Sequence, residues 1–572
     1  MNDIKKRKNI IFLLIFVIIA GLTIYKALFS SHITFYDESQ YLVYSLQICN
    51  GSKLLIDDWN AAQLSGLITL PLVFLYKIIV GGTDGIILFS RMMYLTVKLA
   101  ITCGIIFVYK KRNEKGPEYL LSLAVIFFII SPFNIDTFSY NSIVLLSLNI
   151  LLIIMDLYDA KVSHIYIYIY IYAFITGLLV SIISICHPFC ALGFFLVGLY
   201  LFGSRRIRNL KEESCISGTV MLAFGSGILA IGIYALGIIF NGSNLIELVL
   251  NLRYILSNPG HDVINGGVIY SFVTKIINCI NEFRSTFPLE TAIGLIIVVL
   301  AIVKKDNKQL IVSLDFVYTI LSMAHILIKY GCRFGNNYIF APFVFSTFVL
   351  VILDNERKYR YMYAISILCW LGVYIGSNTG VLTVWACHSL VVLFWLIIKK
   401  YDFQNKKKAY CSAAIIVLLL LMFTHFAINW NEWTNIEVSK NVVDVGPLKG
   451  TFLSDELYED YSDCITDIDK VAEITDGRIV ITGCCPLTYI RMDRSMGGTF
   501  YSEEYERLDE YLSLHDEGEF QIIFFPRGVW DTDNRKLTDE ERNLLDKWMQ
   551  GDYVVIEKGI GCFAVDEACL VQ

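Results

Sequence analysis

The chain has 572 residues, of which 56% are hydrophobic, 14% aromatic and only 17% charged, with a mean hydropathy of +0.58. Soluble proteins have about 25% charged residues, so this composition argues against an ordinary water-soluble enzyme. The net charge of −6 averages two different parts. Residues 1–428 contain 34 Lys and Arg against 22 Asp and Glu, whereas residues 429–572 contain 13 against 31. A basic, apolar body is therefore followed by an acidic, polar tail.

The cysteines argue against a zinc-binding protein, and the basic residues argue against a nucleic-acid-binding one. The fifteen cysteines form no CxxC pair with metal-site spacing, and most lie in apolar runs, as small buried hydrophobic residues do. In the tail, Cys484, Cys485, Cys562 and Cys569 leave a disulfide open. The basic residues of the body stand in short groups between apolar segments, so no nucleic-acid partner is expected.

Thirteen apolar segments approach the length of roughly 20 residues that a membrane-spanning helix needs. The first, 9–29, follows a run of four basic residues, is longer than the apolar part of a signal peptide and precedes no small-residue cleavage site, so it predicts an uncleaved anchor. The others are residues 84–109, 117–132, 138–156, 164–183, 188–203, 217–240, 288–303, 309–329, 338–353, 360–376, 380–398 and 410–428. Residues 165–172 (IYIYIYIY) alternate like a strand, but a lone strand cannot satisfy its backbone in lipid, so a helix is predicted.

The distribution of Lys and Arg between these segments predicts the orientation. With the N-terminus in the cytoplasm, 24 basic residues fall in cytoplasmic loops and seven in extracytoplasmic ones, as the positive-inside rule requires. Counting residues 61–80 as a further span would invert every later loop. We therefore predict that 61–80 is an extracytoplasmic helix at the membrane interface, and that 268–287 also lies outside.

The sequence thus predicts a polytopic α-helical membrane domain, residues 1–428, which includes an extracytoplasmic first loop at 30–83. Residues 429–572 alternate predicted strands (478–482, 521–525 and 553–557) with predicted helices (502–514 and 538–549). This alternation predicts a small soluble α/β domain, on the extracytoplasmic side of a multi-pass protein of the cell membrane.

The polar features concentrate on the predicted outer face. Asp37 and Glu38 come shortly after the first span, Asp58 and Trp59 follow about twenty residues later, and the apolar helix with Pro71 comes next. Acidic residues at the end of a membrane helix are costly unless they are solvated or used. Asp37 and Glu38 therefore either belong to a functional site or lie in a solvated loop, where they cap a helix.

This set of features resembles the GT-C superfamily of membrane glycosyltransferases, in particular the protein mannosyltransferase and aminoarabinose transferase branch (glycosyltransferase families 39 and 83). Residues 82–95 (GTDGIILFSRMMYL) resemble the stretch in which an arginine, here Arg91, opens the second span. Thirteen spans and a soluble extracytoplasmic C-terminal domain are also that branch's architecture. The motif similarity covers about residues 8–200.

Two positions depart from the family pattern. Members of the family often have an aspartate at the start of the fourth span. This chain has Asn141 near that position, and Asp136 comes five residues earlier. The Lys-Pro-Pro that precedes the interfacial helix is replaced by Asn-Ala-Ala-Gln at residues 60–63.

The resemblance implies a glycosyltransferase that moves a sugar from a polyprenyl-phosphate carrier to an acceptor outside the membrane, whether lipid, polymer or protein. Asp37 would be the catalytic base. Glu38 would orient Asp37, or would bind a divalent cation such as Mg²⁺ or Mn²⁺ together with Asp58. The sequence leaves the need for a metal open.

The leaving phosphate needs a cationic partner. Arg91 and Arg333 are the candidates, with Lys329 a weaker one, and a structural salt bridge is the alternative for Arg91. Trp59 is a candidate for stacking on a sugar or for anchoring the interface. Asn141 and His187 are candidate substrate contacts, and a polar cap is the alternative for His187.

Two other functions remain open. A transporter or flippase of lipid-linked saccharides would be expected to show internal repeats and ionisable residues near the middle of the membrane. The sequence shows no repeat, and its acids concentrate in the outer segments. A polymerase or ligase of lipid-linked saccharides is the second alternative.

Overall fold

The structure is a computed structural model. The residues that it describes are 2–29, 37–111, 117–132, 135–158, 166–203, 213–256, 268–330, 338–354, 356–376, 380, 388–398, 407–427, 440–474, 477–482, 485–494, 496–499, 505–515, 519–526, 536–549, 553–558 and 561–570.

Helices form almost all of the described body. Their bounds are α1 Asn2–Phe29, α2 Asp37–Cys49, α3 Gly66–Val80, α4 Ile86–Lys111, α5 Pro117–Ile129, α6 Tyr140–Tyr158, α7 Tyr166–Cys186, α8 Leu192–Gly203, α9 Glu213–Phe240, α10 Leu245–Leu256, α11 Val268–Thr286, α12 Pro288–Val303, α13 Lys308–Tyr330, α14 Pro342–Leu353, α15 Arg357–Ile375, α16 His388–Ile398 and α17 Lys407–Ala427. Each of the thirteen predicted segments overlaps one of these helices, and the IYIYIYIY run is helical from Tyr166.

The lengths and surfaces of the helices identify a helical membrane protein. Among the described residues, six stretches are long and apolar enough to cross a bilayer, and the α11–α12 pair makes a seventh if it counts as one span. Large apolar side chains on the outer surfaces of α1, α9 and α12 are exposed, for example Leu13, Phe240 and Val303. Surfaces of this size would not remain in water. The six stretches are residues 62–80, 86–110, 140–158, 169–186, 218–240 and 308–330. Thirteen crossings remain a prediction.

Helix α3 belongs to one of those six stretches, and it packs mainly against α2, with one end in contact with the tail. At its C-terminal end, Lys77 Nζ lies 2.7 Å from Asp493 Oδ1. In the first loop, nine residues before α3 begins, Asp57 Oδ2 lies 2.7 Å from Arg478 Nη2 of the tail. The first loop and the C-terminal end of α3 thus contact the tail. The interfacial position of 61–80 stays a prediction, because residues 62–80 are also long and apolar enough to cross a bilayer.

Helix α11 also turns away from the direction of the spans. The α11–α12 pair is bent by 106° at the break around Phe287. The pair is therefore a broken span or a re-entrant segment, and the extracytoplasmic position of 268–287 stays a prediction.

The tail is a small domain built on a mixed sheet. Its elements are β1 Asn441–Val442, β2 Phe452–Leu453, α18 Asp455–Ile474, β3 Ile479–Ile481, α19 Pro486–Met492, β4 Met496–Thr499, α20 Tyr505–Leu512, β5 Ile522–Pro526, α21 Asp539–Trp548, β6 Tyr553–Lys558 and β7 Gly561–Asp566. The strand order is β4-β3-β5-β7-β6, with β4, β3 and β5 parallel and β7 and β6 antiparallel to their neighbours. Strands β1 and β2 form a separate antiparallel pair.

Candidate functional site

Helix α2, which begins at Asp37, is held between α3 and the tail. On its apolar side, Leu42, Val43 and Leu46 are buried in a core shared with residues of the tail. On its other side, a Cβ at Gly66 would lie 2.8 Å from the backbone of Tyr44, so only glycine allows α3 to approach this closely. The N-terminus of α2 is thus fixed in position by packing on two sides. The side chain of Asp37 itself lies outside the described part of the structure.

Glu38 and Arg91 form a buried, two-bond ion pair. Arg91 Nε donates to Glu38 Oε1 at 2.8 Å, and Arg91 Nη2 donates to Glu38 Oε2 at 2.6 Å. Arg91 Nη1 also donates to the carbonyl oxygen of Ala27 at 2.6 Å. The side chains of the pair are only 3% and 2% exposed, so Arg91 joins the end of α1, the start of α2 and α4. Of the two roles considered for Arg91, this geometry matches the salt bridge.

A second buried ionic group, formed by Asp136, Lys98 and Lys26, lies about two turns further along α4 than Arg91. Asp136 Oδ1 is 3.6 Å from Lys98 Nζ, and Asp136 Oδ2 is 3.8 Å from Lys26 Nζ. Ser131 Oγ donates to Asp136 Oδ1 at 2.5 Å. Burial acts to raise the pKa of Asp136, but the two lysines outweigh it and hold the pKa below its ordinary value. Two ammonium groups therefore share one carboxylate, and the group has an excess of positive charge.

Asn141 and His187, both predicted from the sequence, are direct neighbours. His187 Nε2 is 3.1 Å from Asn141 Oδ1, and both residues are buried. The ring of Tyr140 lies against His187, with 5.1 Å between ring centroids, and against Tyr41 of α2, at 5.7 Å. These contacts connect Asn141 and His187 to α2 at Tyr41, four residues from Asp37.

Trp59 and Asp58 are both buried against other parts of the protein. The Trp59 ring stacks on Tyr254 at 4.5 Å between centroids and meets the edge of Tyr511 at 5.2 Å, and it is 4% exposed. No open ring face remains for a sugar. Asp58 is also buried, accepts a hydrogen bond from the backbone N–H of Asn60 at 2.8 Å, and faces the tail tyrosines Tyr489 and Tyr511.

These surroundings do not suit a divalent cation at Glu38. Both carboxylate oxygens of Glu38 accept hydrogen bonds from Arg91, whose positive charge a bound cation would have to approach. In the part of the chain with described side chains, the one group of three potential ligands is Asp57, His515 and Glu519. Arg478 already bonds both of its carboxylates, so that group connects the first loop to the tail as an ion-pair network.

The remaining candidates lie elsewhere or are not described. Lys329 is exposed; its Nζ is 3.4 Å from the carbonyl oxygen of Thr286 and 4.8 Å from the centroid of the Tyr330 ring. Arg333 lies outside the described residues.

Sequence reasoning missed Lys26 and Lys98. Lys98 follows Arg91 by seven residues, which is two helical turns, so both lie on the same face of α4. A lysine inside an apolar run is itself a signal of a functional site.

A narrow apolar pocket lies beside the ion pair. It is formed between α2, α3 and α4 and borders Ser90, the neighbour of Arg91; its other lining residues include Tyr41, Leu72, Phe89, Met93 and Phe138. Its volume of about 10 Å³ is the size of one water molecule, so it does not by itself hold a ligand. In comparisons with known proteins, the chain matches no family model and no curated protein.

Proposed function

We propose that this chain is an integral membrane glycosyltransferase that uses a polyprenyl-phosphate-linked sugar as its donor. The observation that carries the proposal is the fixed N-terminus of α2. Asp37 begins this helix, the Glu38–Arg91 ion pair anchors its first turn, and a cationic group lies below it. A base and a phosphate-binding group are what such a reaction needs.

In the proposed reaction, the acceptor hydroxyl attacks the anomeric carbon of the donor. Asp37 takes the hydroxyl proton, the new glycosidic bond forms, and the bond from the anomeric carbon to the phosphate oxygen breaks. Polyprenyl phosphate leaves with its negative charge, and a single displacement inverts the anomeric centre. Glu38 does not touch the substrate in this scheme. It positions Asp37 by holding the first turn of α2 on Arg91.

Lys26 and Lys98 are the groups that we assign to the leaving phosphate. They share the single carboxylate of Asp136, and their excess positive charge would stabilise the charge that develops on the phosphate. Asn141 and His187 would contact the sugar or the acceptor from the other side of α2.

We further propose the topology predicted from the positive loops, with thirteen spans, a cytoplasmic N-terminus and an extracytoplasmic tail. One contact supports placing the first loop and the tail on one side: Asn50, in the first loop, donates to the backbone carbonyl of Arg494 in the tail at 3.0 Å. A nucleotide sugar is not supplied outside the cell, so a lipid-linked donor matches this location.

Purified protein incubated with a panel of polyprenyl-phosphate sugars tests the proposal. We expect mass spectrometry to detect sugar-free polyprenyl phosphate with at least one donor when an acceptor extract is present. Asp37→Asn should abolish release, because an amide cannot accept the proton. Glu540→Gln, an exposed acid on α21, is the matched control and should retain full release. Equal release by both variants would exclude Asp37 as the base.

One observation favours the alternative of a transporter or flippase. Asp315 of α13 is 1% exposed, and no basic side chain in the described part of the chain forms an ion pair with it. Buried acids of this kind occur in ion-coupled transporters. The same incubation, repeated in proteoliposomes, separates the two functions, because a flippase moves the donor across the bilayer without releasing free carrier.

A further inference from the structure

Two cysteines of the tail, Cys464 and Cys485, lie in one core. Cys464 is on the inner face of α18 and is 2% exposed, whereas Cys485 immediately precedes α19 and is half-buried against the same core. Cys485 is therefore the more exposed of the two.

The packing of α18 against α19 brings the two thiols together. Arg491 of α19 bonds Asp469 of α18 through two contacts, Nε to Oδ1 at 2.6 Å and Nη2 to Oδ2 at 2.7 Å. This pair of hydrogen bonds holds the two helices side by side. The Cys464 thiol then interacts directly with the sulfur of Cys485, and Thr488 Oγ1 lies 3.3 Å from Cys485 Sγ.

The surroundings make the two thiols chemically different. Hydrogen bonding from Cys464 and from Thr488 lowers the pKa of Cys485 below its ordinary value, against the effect of burial. Its hydrogen bond to Cys485, together with burial, raises the pKa of Cys464 well above its ordinary value. The more exposed cysteine is thus the better nucleophile, and the buried one keeps its proton.

We propose that Cys464 and Cys485 are a redox-active pair that is oxidised to a disulfide by exchange with a disulfide-bearing oxidant. The Cys485 thiolate attacks one sulfur of the oxidant, which forms a mixed disulfide and releases the other sulfur as a thiolate. That thiolate takes the proton of Cys464. Cys464 then attacks Cys485 Sγ and displaces the second sulfur. Two electrons pass to the oxidant, which leaves as two thiols.

The disulfide would act on the proposed site through α19. Besides α18, α19 contacts α2, the helix that begins at Asp37. A covalent bond at the start of α19 would restrict its separation from α18 and therefore keep the surface on which α2 packs. This inference does not depend on the proposed glycosyltransferase activity, because the thiol chemistry can be measured without a donor sugar.

Oxidised glutathione is the probe that we would use on the full-length protein in detergent. After incubation over a range of reduced-to-oxidised ratios, free thiols are alkylated and the peptides mapped by mass spectrometry. We expect a Cys464–Cys485 peptide to form, while Cys562, buried in β7, remains a free thiol. Both cysteines remaining free at every ratio, or a link between Cys485 and Cys484, would overturn the proposal.

Cys464→Ala separates a functional pair from two adjacent but independent thiols. In this variant, oxidation of Cys485 should stop at the glutathione mixed disulfide. Alkylation of Cys485 at pH 7 should also slow, by about tenfold for each unit that its pKa rises, because the hydrogen bond that stabilises the thiolate is lost. An unchanged alkylation rate would contradict the pairing, even if the variant folds normally.

Discussion

At the scale of single residues, the Glu38–Arg91 pair decides how well the N-terminus of α2 is held. Both charges are buried, so removing one leaves the other without compensation. Losing one partner of a buried pair costs about 3–5 kcal/mol. We therefore expect Glu38→Gln and Arg91→Met each to lower the melting temperature strongly, and the double variant Glu38→Gln/Arg91→Met to recover part of the loss. Thermal unfolding of the four proteins in detergent measures this cycle.

Arg91→Lys tests the geometry of the same pair without changing its charge. A lysine offers no planar fork for the two oxygens of Glu38, so we expect α2 to be less well positioned. Under the proposed function, kcat should fall more than KM rises, since Arg91 acts by positioning and does not bind the donor. A pure rise in KM would indicate instead that Arg91 contacts the phosphate.

At the scale of helices, two buried acids provide a contrast. Asp156 of α6 accepts hydrogen bonds from Tyr109 at 2.7 Å and Tyr359 at 3.0 Å and lies 3.1 Å from Lys358. Asp315 of α13 has neither a tyrosine nor a lysine partner in the part of the chain that is described. We expect Asp156→Leu to destabilise the protein. Asp315→Leu should be neutral or stabilising, because an unpaired buried polar group costs about 1–3 kcal/mol.

Melting temperatures of the two leucine variants check this expectation, with the asparagine variants as controls for size. Equal destabilisation by Asp156→Leu and Asp315→Leu would mean that Asp315 is stabilised by a partner. If Asp315→Leu is stable but loses donor translocation in proteoliposomes, the transporter interpretation gains support over transfer.

The helices were the most predictable elements, for a physical reason. A long apolar run must be helical in lipid, so composition alone located all thirteen helical segments. In the tail, β3, β5 and β6 match predicted strands because their apolar residues stand together. By contrast, β4 (MGGT) has no apolar pattern and β7 follows β6 with little separation, and neither was predicted. Helix α18 was also missed, although Tyr461, Cys464, Ile465 and Ile468 mark a helical apolar face.

The candidate site was predictable only in part. The order of the chain placed Asp37, Glu38 and Arg91 on one side of the predicted membrane, but not the two-bond contact between Glu38 and Arg91. That contact depends on the angle at which α2 meets α4, which close packing at Gly66 and the tail determine. The burial of Trp59 had the same origin, since Tyr254 and Tyr511 are distant in sequence.

At the scale of the whole molecule, Trp59 joins three separate parts of the chain: the first loop, α10 through Tyr254, and α20 of the tail through Tyr511. Removing a large buried aromatic side chain costs about 3–5 kcal/mol. We therefore expect Trp59→Ala to weaken the docking of the tail and to accelerate amide hydrogen exchange in Tyr505–Leu512. Trp59→Phe keeps an aromatic ring in the stack and should preserve most of the protection.

The same two variants distinguish packing from sugar binding. If Trp59 only packs, Trp59→Phe should leave the KM for the donor unchanged, and Trp59→Ala should affect activity in proportion to the loss of tail protection. If Trp59 stacks on the sugar, Trp59→Phe should raise KM while hydrogen exchange in α20 stays slow. Because the ring is enclosed by two tyrosines on separate elements, opening it to a sugar would require the tail to move away from the first loop. We therefore expect the first outcome.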